Sequence, residues 1–573
     1  MKQLLVLTLL GGAAWAQTIP PLKGDGPEWD AGTPIESAFL RCRNCHDQQA
    51  VIEPAIYMPF DGWVSSMMGN SQRDPLFRAA VAVANQDVPG IGQWCLRCHS
   101  PQAYLRGHVL PPDGGALDAL DYEGVTCDIC HRSIVPANEP GAPFVGNAQL
   151  YFDGSLNKYG PYPNVSSPAH AGEPTSFTGS SELCGQCHSV HNPIGPWRSL
   201  DGGTLGPSFP LDTTYEEWKQ SSFARLPRDA GFASCADCHM PRFTGPDGGT
   251  DYKIAKGIGF GPRTNPRQHL LVGGNVWGLD AVQAANPDLA LEFADQFAAT
   301  RKASLQILQS AARLTLTVPA AAQPGPQASV TVRVTNLSGH KLPTGYGDGR
   351  RVVVQLSVDG QIVTGAFDGG ALLGDAQLRV YEALHGRAAI GVSEHLALHD
   401  AVLKDSRIPP AGMVAQPQTQ PVAVAWFTAA DGGLRDYDEA IFTVPLAPSL
   451  ANGAKVNVTA RLLYQSTIPQ YVEFLAAENR TDSAGQRLLQ IYNATGRGAP
   501  IEMARAEAEL TVSRSTGSDA GAGGGAGGGG GGGTGGGGGD LTGSCHCQGG
   551  PGIAGLALLA LLAAIRARRP SRR

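Results

Sequence analysis

Apolar positions in this chain change their rhythm part-way along. Over residues 313–515, short β-branched runs recur: "LTLTV", "SVTVRVTN", "RRVVVQLSV", "PVAVAWFTA", "AIFTVPL" and "KVNVTARLLY", separated by Gly, Pro and Asp turns. That alternation predicts an all-β sandwich of immunoglobulin-like type. Just before it, "NPDLALEFADQFAATRKASLQILQSAAR" carries a helical period. Leu289, Phe293 and Phe297 recur at i+4, Asn286 can cap, and Pro287 fits the first turn. Elsewhere in residues 17–312 neither period persists. This region is rich in Gly, Pro and short loops, and predicts short helices, little sheet and too few apolar side chains for a core of its own.

The two ends carry apolar runs of a different kind. "LLVLTLLGGAAWA" follows Lys2 and closes on the small residues Ala14 and Ala16, which reads as a signal peptide over 1–16 cleaved before Gln17. At the other end, residues 516–543 are almost all glycine, a composition that stays a flexible tether. Residues 544–573 then hold Cys545, Cys547, the run "IAGLALLALLAAI" and the basic tail "RARRPSRR". That run falls short of the roughly 20 residues that span a bilayer, so it reads as a sorting signal that is cut and replaced by an anchor. The expected protein is exported and multidomain.

Composition narrows the function classes. A length of 573 residues implies more than one domain, and 42% hydrophobic content is enough for buried cores. The net charge of −7, with no basic run except at the extreme C-terminus, excludes a nucleic-acid partner.

Cysteine spacing decides the chemistry. Ten of the 12 cysteines form five pairs: Cys42/Cys45, Cys95/Cys98, Cys127/Cys130, Cys184/Cys187 and Cys235/Cys238. Each pair is followed at once by a histidine: His46, His99, His131, His188 and His239. From the Cys and His frequencies of this chain, CxxCH arises by chance about once in 100,000 positions. Disulfides do not require that spacing, a thioredoxin-like pair needs one site in a βαβ context, and structural zinc does not ask for a histidine after every pair. Covalent haem c does. Two thiols add to the two vinyl groups of one haem, and the next residue sets its imidazole under the iron. Five covalent haems c are expected, with the five CxxCH histidines as proximal ligands.

The opposite axial ligand separates electron transfer from chemistry at an open iron. His108, His170, His191 and His269 fall within the CxxCH region, and His340 lies just beyond it in "NLSGHKLPTGYGDGRR". These five are the candidate distal ligands, which makes bis-histidine ligation available throughout. His191 follows His188 by three, so a helical turn would aim it at a neighbouring haem. The competing reading for each is a loop or surface histidine. Met67 and Met68, in an expected helix within "GWVSSMMGNSQRDPLF", are the thioether alternative, against a role as flexible core residues. His385, His395, His399 and His546 complete the histidines.

Two resemblances follow from these residues. Glycine spacer, Cys545 or Cys547, apolar run and arginine cluster resemble the MYXO-CTERM cell-surface sorting tag, which implies that one of these cysteines is the processing and lipidation point. "GVTCDICH", "LCGQCHSVHN" and "CADCHMP" are similar to the multihaem c-type cytochromes of the tetrahaem and nitrite-reductase-like superfamily. "GHKLPTGY" and "KDSRIPP" resemble a β-domain often fused to them. This second resemblance implies mainly bis-histidine haems in electron-tunnelling contact, and a fold of a loop-rich, mostly α pentahaem domain (17–312) followed by the sandwich (313–515).

The leading functional expectation is an electron relay at the outer membrane or cell surface, matured in the periplasm. It would serve redox partner proteins, other cytochromes or a quinol-linked donor, and be held to the membrane by its C-terminal anchor. The alternative is a redox enzyme with one open haem acting on a small nitrogen or sulfur compound. Nitrite reductases use CxxCK at their active haem, whereas all five motifs here end in histidine. A third reading is a surface binding module built on the sandwich, distinguished by partner capture without redox dependence.

Overall fold

A helical turn places residues i, i+3 and i+4 on one face, so a helical CxxCH presents both thiols and the imidazole together. The computed structural model describes residues 35–48 and 58–514, apart from 112–113, 138, 153, 164, 166, 246–247 and 258–260. Within it every CxxCH sits on or at the end of such a turn: Arg43–His46, Gly92–His99, Cys127–His131, Ser181–Gly185 and Cys235–His239. The last of these starts from a capping box between Ser234 and Asp237. Sheet in this half is limited to pairs of short strands, such as Lys158–Gly160 with Gly172–Pro174. Its side chains bury themselves in several small clusters rather than one core.

The long helix expected after Asn286 is interrupted. It forms as Pro287–Glu292 and Ala294–Ser310, broken at Phe293, which turns inward to 3% exposure. Asn286 makes no capping bond; its amide donates back to Val282 O. Met67 and Met68 lie in turns after the helix Pro59–Val64 instead of in a helix.

From Ala312 the chain builds two sheets around one large core. The smaller runs Tyr437–Leu446, Gly325–Asn336, Ala312–Thr317, with Val332 opposite Ala440 and Leu316. The larger has Arg351–Val358 near its centre, between Lys455–Gln465 and Arg379–Arg387. Tyr437–Leu446 alternates buried and exposed positions, as a strand with one wet face must, whereas the first six residues of Arg351–Val358 are buried on both faces. Five of the six β-branched runs read from the sequence are strands. "PVAVAWFTA" is not: it crosses the core as loop, with Phe427 fully buried and Trp426 stacked under the Arg379 guanidinium.

This half is also not all-β. Helices Pro469–Glu478 and Ala484–Ala494 form a hairpin between the last two long strands. Tyr471, Val472 and Leu475 on one, and Leu488, Ile491 and Tyr492 on the other, pack against Ala79, Val83, Trp277 and Ala281 of the CxxCH half. The hairpin therefore docks the two halves together. No helix among the described residues is long and apolar enough to cross a membrane. The signal peptide, glycine tether, Cys545, Cys547 and His546 lie outside the described residues.

Candidate haem-binding site

One cavity of about 1810 Å³ runs through the first half and against the second. All ten paired cysteines and all five CxxCH histidines line it. His170, His269 and His340 line it too; His108 and His191 do not.

Three ring pairs face each other across this space. His46 and His170 have centroids 6.4 Å apart and planes within 23°. His131 and His269 stand at 6.1 Å and 25°, and His239 and His340 at 6.2 Å and 20°. Two metal–imidazole bonds of roughly 2 Å each, continued to the ring centres, give about 6 Å. The separations are thus those of two imidazoles on opposite sides of one ion.

Second contacts fix which nitrogen each ring offers. His46, His131 and His239 donate Nδ1–H to the carbonyls of Ile254 (2.6 Å), Tyr159 (2.8 Å) and Val272 (2.5 Å). His170, His269 and His340 do the same to Ala171 (3.2 Å), Arg267 (3.2 Å) and Lys341 (3.1 Å). In all six rings this commits Nδ1 and leaves Nε2 as the nitrogen to meet a metal. Burial reinforces this by lowering His46, His131 and His340, with His239 brought to about 4 and His269 to about 3. These five rings are neutral at neutral pH.

The distal rings come from three unrelated places. His170 sits in the loop between Lys158–Gly160 and Gly172–Pro174. His269 lies against the helix Pro59–Val64, so close that a Cβ on Gly62 would fall 2.9 Å from its carbonyl carbon. His340 belongs to the strand-rich half. Its loop is tied by Lys341 N–H to Glu217 (3.0 Å), and by a fully buried set in which Lys341 pairs with Asp405 (2.6 Å) and Arg407 with both Asp405 (2.8 Å) and Glu217 (2.9 Å). Two cations and two anions balance there, so "GHKLPTGY" and "KDSRIPP" meet as the clamp that holds His340 in the cavity.

The other two proximal histidines have no facing imidazole among the described residues. The ring of His99 stacks on Phe77 at 3.6 Å and 4°, its Nδ1 buried without a partner. His188 remains half-exposed, with Nδ1 3.9 Å from Asp212. His108 instead donates to Asp121 (2.7 Å) beside Arg106, outside the cavity. His191 is on the strand Val190–His191, not a helical turn, which removes the spacing argument for it. The salt-bridge partners of His108 are 10 and 13 residues further on, and its sequence context gave no sign of them.

The cysteines supply the order of the motifs. None of the ten forms a disulfide. Cys42 touches Cys127, Cys98 touches Cys187, and Cys184 touches Cys235, while Cys130 lies near both Cys184 and Cys187. Motif one therefore meets motif three, and motif four meets motifs two, three and five. Burial pushes Cys95 up to about 12 and Cys130 to about 11, the reverse of the lowered thiol a dithiol redox pair uses. Cys98 and Cys235 are lowered chiefly by their bonds to Cys187 and Cys184, which rise, with Arg97 adding to the first and Ser181 to the second.

Inside motif four, Gly185 is demanded by packing: a Cβ there would lie 2.5 Å from the Tyr215 ring. Gly185→Ala is expected to displace Tyr215 or the helix, at a cost of roughly 1–3 kcal/mol in thermal unfolding. A nearby carboxyl gives a pH signature. Burial raises Glu216 from 4.5 to about 7, against its bond from Ser189. A group raised on folding contributes stability that is full below its unfolded value and lost as pH rises through about 7. Glu216→Gln should therefore gain roughly 2–3 kcal/mol on the native chain between about pH 5 and pH 8, read by thermal unfolding at both.

Paired thiols at every CxxCH, three pairs of facing imidazoles with ring centroids about 6 Å apart and one continuous cavity fit covalently attached haem. No family model matches the chain, and no curated protein matches it. Among solved structures it is similar to a penta-heme cytochrome c552 from Thermochromatium tepidum, at 17% identity and a TM-score of 0.47, over 83% of this chain and 99% of that one. At that score the likeness carries no weight for function.

Proposed function

We propose that this chain is an exported five-haem cytochrome c that relays electrons, with its redox partners at the outer membrane or cell surface. One observation carries the reading: all five CxxCH motifs open into a single cavity, and three of their histidines already face a second imidazole across it. Haem bound there supplies reversible one-electron chemistry. The chain's own residues do the rest. Backbone carbonyls orient the six paired rings, thiol contacts set which motifs adjoin, and the docked strand-rich half closes the cavity and lends His340. Motif four is the branch point, since it touches three others. Export, the MYXO-CTERM anchor and an immunoglobulin-like origin for the sandwich belong to the same proposal and rest on sequence.

A second reading has a specific support. His99 and His188 lack a facing imidazole among the described residues, so an open iron at motif two or four would allow a small nitrogen or sulfur substrate to bind. One titration separates the two. On the relay reading, potentiometry followed by EPR on the mature protein shows low-spin ferric irons at the three paired motifs, and the irons at motifs two and four do not respond to nitrite or hydroxylamine. A high-spin iron that responds to those ligands would favour the enzyme.

A further inference from the structure

A separate donor cluster lies outside the large cavity, where the two halves meet. Asp348, His385 and His399 each offer one ligand atom, and these atoms lie within 4.8 Å of one another. His385 donates Nδ1–H to Asp348 Oδ2 at 3.1 Å, a proton that a cation would replace, and the same oxygen stands 3.9 Å from His399 Nδ1. The three side chains are 7%, 6% and 0% exposed. His399 donates its Nε2–H to Ser393 O at 2.7 Å, which leaves Nδ1 as a bare lone pair. That buried atom has no hydrogen-bond partner. Leaving it so is costly, and only a proton donor or a cation relieves it.

The surroundings are those of a ligand site. Ser393 O holds the far nitrogen of His399, as an outer partner of a metal-bound histidine does. Phe209 sets its ring edge-on against both imidazoles, at 5.2 and 5.9 Å, and closes them off with apolar surface. Gly347 lets the loop bring Asp348 in, since a Cβ there would lie 3.0 Å from His385 Cε1. Two nitrogens and one carboxylate oxygen suit zinc, while calcium and magnesium take oxygen shells. Around an ion with bonds of roughly 2 Å, ligand atoms in a tetrahedral shell sit about 3.3 Å apart; the 3.1 Å pair matches this, and the 3.9 Å pair closes by about half an ångström on binding.

We propose that Asp348, His385 and His399 form a zinc site of the strand-rich half, built at its contact with Phe209 and Asn192 of the CxxCH half. His385 belongs to the strand Arg379–Arg387, and His399 follows the turn Leu396–Leu398. From the other half, Asn192, at the end of "LCGQCHSVHN", donates its amide to Ala397 O at 2.9 Å and anchors that turn. The cation would fix the Asp348 loop, the strand and the turn to one another, and so hold the surface on which Phe209 and Asn192 pack. This assignment does not depend on haem occupying the cavity.

The test is zinc loading of the full-length exported protein, followed by gel filtration and metal analysis. The expected result is one zinc per chain more in the native protein than in His399→Gln or Asp348→Asn. Equal zinc in all three overturns the proposal. Zinc-edge X-ray absorption on the native protein gives a second readout that does not rely on the variants folding. Two imidazoles and an oxygen at about 2.0 Å are expected, whereas sulfur donors at about 2.3 Å would place the metal on unoccupied CxxCH thiols and refute the site.

Discussion

His340→Ala is expected to turn one of the five irons from low spin to high spin while the other four keep their signals. The reason is geometric. His340 is the only imidazole that faces His239 among the described residues, and its Nε2 is free because Nδ1 is committed to Lys341 O. Added imidazole should restore the low-spin signal, because the cavity left by the ring fits the free ligand. The stability cost should be modest, about 1–3 kcal/mol, as for loss of a buried hydrogen-bonded side chain. Asp405→Asn gives a sharper contrast. It touches no cavity ligand, yet it leaves Lys341 and Arg407 against a single anion, Glu217, in a fully buried set, at a cost of about 3–5 kcal/mol. It should unsettle the same iron by letting the His340 loop drift, which EPR would read as a mixture of spin states at that one haem.

The second large effect is expected at motif four. Cys184→Ala combined with Cys187→Ala removes the motif-four thiols that touch Cys235 and Cys98. The variant should carry four irons per chain in place of five. Electrons entering at motif one, which meets motif three, should then no longer reach motif five at the native rate. The matching change at motif one, Cys42→Ala with Cys45→Ala, also costs one iron but sits at an end of the array. Stopped-flow reduction compares them: a multiphasic, slowed course for the motif-four variant and near-native rates for the motif-one variant are expected. Equal slowing in both would remove the branch point.

Much of this site was legible because its chemistry is local. CxxCH puts its three donors on one helical turn, so spacing alone reports them. Distal ligands are long-range, and there the sequence carried little signal. His46 and His170 are paired across more than a hundred residues, and so are His131 with His269 and His239 with His340. Of the five distal candidates the cavity takes His170, His269 and His340, whereas His108 bonds Asp121 and His191 lies on a strand outside the cavity lining. The same contrast holds for the fold. Alternating runs identified most of the strands, because a half-buried strand must alternate. "PVAVAWFTA" misled because a buried loop can be just as apolar. The helical hairpin at 469–494 was signalled by Tyr471, Val472 and Leu475 behind Pro469, a period of three and four inside a region otherwise read as strand. The buried clamp of Lys341, Asp405, Arg407 and Glu217 was beyond reach, since nothing local ties residue 217 to residue 407.

Intact mass of the purified exported protein, denatured but not chemically cleaved, reads the thioether bonds themselves. The account predicts the mature chain plus five porphyrin additions that survive denaturation, mapping in peptides to Cys42/Cys45, Cys95/Cys98, Cys127/Cys130, Cys184/Cys187 and Cys235/Cys238. A mass equal to the polypeptide alone, with those thiols free or joined as disulfides, would contradict it.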